Sequence, residues 1–145
     1  MLFILNGPNL NLLGLRQPEI YGSETLFSIQ QNCEKVAKAS GYTLDFRQTN
    51  HEGVLVDWVQ EAREKAKGLI INGAGLTHTS VSLLDALLML SIPIIEVHLS
   101  LITNREPFRH HSFITPASKG LVAGFGASGY TLALRALIEM VNNQE

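Results

Sequence analysis

The sequence predicts an open α/β fold, a doubly wound parallel sheet of five strands with helices on both faces. Three observations carry it. Short apolar runs alternate with longer stretches whose apolar residues recur at helical spacing. No low-complexity tract, charge run or linker interrupts the 145 residues, a length that fits one domain, residues 1–145, with a full core. Polar residues gather just past the carboxyl ends of the apolar runs, where such sheets bind ligands.

The elements follow in order. Leu2–Asn6 is apolar and ends at Asn-Gly-Pro, a buried strand stopping at a turn. Glu24–Ser40 carries Leu26, Ile29, Cys33, Val36 and Ala37 on one face, with Gly41 as its stop. Thr43–Thr49 sets Leu44 and Phe46 against Asp45 and Arg47, the alternation of a half-exposed edge strand. A helix over Glu52–Lys67 spaces Leu55, Trp58, Val59, Ala62 and Ala66, and Leu69–Asn72 reads as a central strand. Thr79–Leu90 is apolar almost all round, as in a helix buried by more than one neighbour. Pro93–Leu99 and Leu121–Phe125 are the fourth and fifth strands, and Ser128–Asn142 closes the chain with Tyr130, Leu134, Leu137, Ile138 and Val141 on one stripe. Right-handed crossovers and an order of 2-1-3-4-5 put the alternating strand at an edge. That is the flavodoxin-like layout.

Composition removes several function classes. Eleven basic against thirteen acidic side chains, a net charge of −2, argue against a nucleic-acid surface. The single cysteine, Cys33, excludes a disulfide framework and reads as buried packing. Leu2–Leu5 is too short and lacks the basic leader of a secretory signal, and the uncharged run Gly120–Leu134 is too short for a membrane span. The expectation is a soluble cytoplasmic protein. Gly124, Gly126 and Gly129 match a dinucleotide fingerprint by pattern, yet the acidic residue about 20 positions on does not fit before the end of the sequence; they read as helix–strand packing. No lysine issues from a strand's carboxyl end, which leaves Schiff-base chemistry without a candidate, and His110 and His111 lack a third ligand at metal spacing. No cofactor or metal is expected.

The strand order reverses between the first and third strands. Asn6-Gly7-Pro8-Asn9 follows one, Asn72-Gly73-Ala74-Gly75-Leu76-Thr77-His78 follows the other, and Glu96-Val97-His98-Leu99-Ser100 ends the fourth. Asn6 and Gly7 are also what a plain tight turn uses. Glu96 and His98, two apart on one strand, face the same side and can pair, the carboxylate orienting the imidazole and raising its basicity. A purely structural pair is the alternative. The loop Gly7–Gly22 is long and aperiodic, in the manner of a lid with Gly14 and Gly22 as hinges. It carries Tyr21, either an anchor or a general base. As a base its phenol, ordinarily near 10, needs a cation; a shift of about two units takes roughly 2.7 kcal/mol, within reach of the Arg16 guanidinium. Arg105 and Arg109 either cover a solvated face or receive a substrate carboxylate.

Motifs from Asn6 to the last helix resemble those of type II 3-dehydroquinate dehydratases: Asn6-Gly7-Pro8-Asn9-Leu10-Asn11-Leu12-Leu13-Gly14, Arg16-x-Pro18-x-x-Tyr21-Gly22, Leu76-Thr77-His78-Thr79-Ser80-Val81, Ile95-Glu96-Val97-His98-Leu99-Ser100 and Arg105 to Ser112. The resemblance implies a cofactor-free lyase of the shikimate pathway, which leads to aromatic amino acids. It converts 3-dehydroquinate to 3-dehydroshikimate by anti elimination through an enolate. It implies Tyr21 as base, Arg16 stabilising its phenolate, Asn9 holding a water on the enolate oxygen, and His98 as general acid supported by Glu96. It further implies Asn72, His78 and Arg109 as ring-hydroxyl contacts, the backbone at Leu99 and Ser100 as the carboxylate site, Asp85 donated by a neighbouring subunit, and a homododecamer of four trimers. Leu84, Leu101 and Thr103 depart from the family pattern beside the site and the trimer contact. The rival readings are a flavodoxin-like binding module and an inactive carboxylate-binding paralogue.

Overall fold

A computed structural model describes residues 1–15, 19 and 23–144. Five parallel strands, β1 (Leu2–Asn6), β2 (Leu44–Gln48), β3 (Gly68–Asn72), β4 (Ile94–His98) and β5 (Gly120–Ala123), form one sheet in the order β2-β1-β3-β4-β5. The expected order is therefore observed. Four helices surround it among the described residues: α1 (Leu26–Ala39), α2 (Glu52–Lys65), α3 (Val81–Leu88) and α4 (Ser128–Gln144). None is long and apolar enough to cross a membrane.

Strand parity divides the interior into two cores. Leu2, Ile4, Ile70, Ile95 and Val97 pack with α1 and α4, whereas Phe3, Leu5, Leu69, Ile71 and Ile94 pack with α2 and α3. Because β1, β3 and β4 are buried on both faces, they carry near-continuous apolar sequence. Cys33 lies within the first core, and burial pushes its thiol up to about 12, which removes it as a nucleophile.

Local signals set the helix ends. Thr25 Oγ1 accepts the Ser28 N–H at 3.1 Å and starts α1 two residues later than the apolar periodicity suggested. Gly41, at φ 82°, follows its end as expected. Ser80 Oγ accepts the Leu83 N–H at 2.9 Å and starts α3. One expectation is corrected here. Helix α3 is not enclosed within its own chain: Val81, Leu88 and the following Met89 are exposed. Strand β2 is the half-exposed edge strand expected, with all five residues half-buried: Phe46 packs toward Tyr130, and Arg47 is partly covered by Trp58 and Glu61 of α2.

Strand β5 ends at Ala123, two residues early, because Gly124 (φ 93°) turns the chain out of the sheet. Gly126 adopts φ 60° and donates its N–H to the Leu99 carbonyl. Of the three glycines in this turn, only Gly129 serves helix–strand packing, with Val97 and Val122 each 3.5 Å from where a Cβ would stand.

Candidate active site

The reversal between β1 and β3 brings two turns into contact. A Cβ on Gly7 would stand 2.5 Å from the Gly73 carbonyl oxygen, and one on Gly73 would stand 2.6 Å from Ile114. Glycine is thus required at Gly7, where a Cβ would meet backbone, beyond simple turn formation, while at Gly73 it spares the Ile114 and Thr77 side chains from moving. The Gly7 N–H donates to the Asn72 carbonyl at 2.8 Å. Above this floor lies a cavity of about 230 Å³, lined after β1 by Pro8, Asn9 and Leu10, after β3 by Asn72, Ala74, Gly75 and His78, and after β4 by His98, Leu99 and Ser100; Ile102, Arg105 and Arg109 complete it.

The loop after β1 is built partly from core. Leu10 and Leu13 are buried, and a short 3-10 turn spans Leu10–Leu12. Gly14 (φ 94°) lies against the carbonyls of Ser23 and Glu24, so the two ends of the segment meet. Asn9 and Ala74 are the non-glycine residues with positive φ among the described residues, at 71° and 50°, and both line the cavity. Asn tolerates that region through its short polar side chain. Ala74 is held there as its N–H donates to Asn72 Oδ1 at 3.0 Å.

On β4, Glu96 and His98 form the expected pair, with Nε2 of the imidazole 2.6 Å from Glu96 Oε2. Glu96 is fully buried and His98 is 4% exposed. Burial by itself raises the Glu96 carboxyl, but hydrogen bonds from His98, Thr115 and Ser112 outweigh it and hold its pKa below the ordinary carboxylate value. The His78 ring lies 6.5 Å from that of His98, nearly parallel to it. Desolvation lowers the His78 pKa and the nearby His98 and Arg109 reinforce the effect, against the opposing hydrogen bond between Nδ1 and the His111 carbonyl. His78 is therefore neutral at pH 7, with Nδ1 donating and Nε2 left as an acceptor.

Asn72 is more committed than its place in a substrate-facing motif suggested. Its Nδ2 donates to Tyr130 Oη at 2.9 Å, and Tyr130 Oη donates to Asn6 Oδ1 at 2.6 Å. Asn6 Nδ2 in turn donates to the Arg47 carbonyl. Asn6 thus belongs to a buried amide chain beneath the cavity. With Oδ1 on Ala74 and one N–H on Tyr130, Asn72 keeps one N–H for a ligand. Arg105 and Arg109 both pair with Glu106, at 3.7 and 3.1 Å, and Arg105 Nη1 donates to Ser100 Oγ at 3.4 Å. Both guanidiniums line the same cavity as Leu99 and Ser100.

The structure therefore gathers Asn9, Asn72, His78, His98, Leu99, Ser100 and Arg109 at one cavity, with Glu96 directly behind His98. Asp85 does not join them; it is exposed on α3 and does not line the cavity of its own chain. Tyr21 and Arg16 lie outside the described residues, as do Pro18 and Gly22. Sequence reasoning passed over Tyr130, Ser112 and Thr115 as polar partners. Tyr130 lay hidden in an apolar stripe, although a phenol in such a place needs a hydrogen-bond partner.

Fold and site together define an acid–base enzyme, with an imidazole–carboxylate pair and flanking cations at the switch point of a flavodoxin-like sheet. Residues 1–138 match the family described as dehydroquinase class II, and the chain belongs to that family. It is 55% identical over 138 residues to the 3-dehydroquinate dehydratase of Caulobacter vibrioides, covering 95% of this chain and 94% of that one. It is 57% identical over 131 residues to that of Dinoroseobacter shibae, covering 90% and 87%. The crystal structure of type II dehydroquinase from Propionibacterium acnes superposes with a TM-score of 0.91 at 38% identity, covering 95% of each chain.

Proposed function

We propose that the protein is a lyase that dehydrates 3-dehydroquinate to 3-dehydroshikimate, the shikimate-pathway step toward aromatic amino acids, within one catalytic domain. The observation that carries the reading is the buried Glu96–His98 pair at a small cavity rimmed by arginines, in a chain of this family.

The substrate carboxylate takes the end of the cavity formed by the backbone of Leu99 and Ser100. Asn72, with one free N–H, and His78, with an open acceptor, suit ring hydroxyls, as does Arg109. Tyr21, kept as phenolate by Arg16, removes the proton beside the ketone. Asn9 positions a water against the enolate oxygen. The enolate then collapses and His98 protonates the departing hydroxyl. Proton transfers of this kind contribute about 10²- to 10⁴-fold each. Asp85 completes the site of a neighbouring subunit, and the exposed apolar flank at Val81, Leu88 and Met89 supports subunit contact near it. The assembly is a dodecamer of four trimers, in the cytoplasm.

The test is direct: purified protein is mixed with 3-dehydroquinate and the ultraviolet band of the conjugated enone is followed. Wild type is expected to turn over, with Tyr21→Phe and His98→Ala folded but nearly inactive. Full activity in a well-folded Tyr21→Phe would remove the base assignment.

A further inference from the structure

Dehydration with His98 as the acid leaves open which of its two ring nitrogens surrenders the proton, a question that rests on the proposed function. The surroundings of Glu96 decide it. Glu96 Oε2 accepts from His98 Nε2 at 2.6 Å and from Ser112 Oγ at 2.7 Å, and Oε1 accepts from Thr115 Oγ1. Ser112 Oγ itself accepts the N–H groups of Ile114 and Thr115, at 3.1 and 3.2 Å. Both of its lone pairs are thereby occupied, and its one proton is committed to Glu96. Glu96 is thus ringed by donors. A proton placed on it would have to displace one of these donors or reverse it, in a position with no access to water, and the hydrogen bonds accordingly favour the carboxylate over the acid.

We propose that Ser112 and Thr115 are positioning residues that hold Glu96 as a permanent acceptor, so that His98 keeps its Nε2–H and gives the departing hydroxyl the proton on Nδ1. In that step the enolate oxygen regains its carbonyl double bond and the enolate's carbon–carbon electron pair shifts to form the new C=C. The C–O bond breaks with its pair going to oxygen, and the Nδ1–H bond breaks as an O–H bond forms. Water leaves, and His98 remains as the neutral Nε2–H tautomer. The same two hydroxyls tie the segment carrying Arg105 and Arg109 to β4, so the acid and the anion-binding arm share one anchor.

The groups facing the pair are His78, stacked on His98, and Arg105 and Arg109 around the cavity; none changes in the variants used. Thr115→Val removes one donor at nearly constant shape, and Thr115→Ser restores it. In Thr115→Val, kcat is expected to fall about tenfold, with the acid limb of its pH profile moved to higher pH because the carboxylate holds its proton more tightly. KM should change little, and Thr115→Ser should recover both kcat and limb. In wild type labelled with 15N-histidine and held at alkaline pH, the His98 ring shifts should report the neutral Nε2–H tautomer. An Nδ1–H tautomer in active wild type overturns the proposal without any variant. So does a folded Thr115→Val with the kcat and pH profile of wild type. Wild type that leaves 3-dehydroquinate unchanged defeats the functional reading itself, and this inference with it.

Discussion

Two charged clusters share one face of the sheet, since Arg47 on β2 and Glu96 on β4 lie in one register row through Leu5 and Ile71, and only the one on β4 opens onto a cavity. On β2, Arg47 forms bidentate pairs with Asp45 and Glu61, and Lys65 adds a second cation to Glu61. The guanidinium also lies over the rings of Phe3 and Trp58, 5.0 and 5.5 Å from their centroids. Every charge there meets its complement. Its ionisation is strongly displaced all the same: the Arg47 pKa is raised, by the Glu61 and then the Asp45 hydrogen bonds, and Glu61 is lowered to about 2. On β4, Glu96 is equally satisfied, but one ring nitrogen of His98, which lines a cavity, has no partner among the described residues. A displaced pKa marks strong interaction at both places. An open valence at a cavity separates the proposed acid from the scaffold.

The same substitution at the two carboxylates gives the largest contrast. Glu96→Gln places an amide N–H among three donors, and kcat is expected to fall about 10²- to 10⁴-fold in the enone assay. If activity survived, the pair on β4 would be as structural as the web on β2. Tyr130→Phe comes next. It leaves Asn6 and Asn72 without their bridge, costing about 1–3 kcal/mol in urea unfolding, and frees Asn72 to turn, so KM should rise more than kcat falls. Arg47→Met removes the web while keeping part of the packing. A loss of about 1 kcal/mol in the same unfolding measurement is expected, with kcat unchanged.

The smallest effect is the acid dependence of Glu61. Its folded value of about 2 lies below the ordinary 4.5, so the unfolded chain binds more protons between them. Its contribution is complete above about 4.5 and disappears as the pH falls toward about 2. Glu61→Gln should therefore flatten the acid side of the stability–pH curve and leave the pH–rate profile untouched.

Legibility in the sequence followed the range of the interactions. Apolar runs and helical spacing disclosed the strands and their order, because a strand buried on both faces can hold little but apolar residues. Glu96 and His98 stood out for the same reason: two ionisable groups in such a strand need an explanation. Asn9, Asn72, His78, Leu99, Ser100 and Arg109 were locatable because the topology directs every strand's carboxyl end to one edge. Thr115, 19 residues from Glu96, and Tyr130, 124 residues from Asn6, gave no sign of their partners. Nor did Arg47 show that Trp58 and Glu61 partly cover it.

Sequence by itself determined the layered fold, the position of the site and the residue types able to exchange protons, since burial and strand parity are local properties that composition must obey. Tertiary structure alone decided which donors surround Glu96, which amide proton Asn72 retains and which charges on β2 are closed off. Those depend on hydrogen-bond valences filled by residues far apart in the chain, and folding alone brings such residues within about 3 Å of each other.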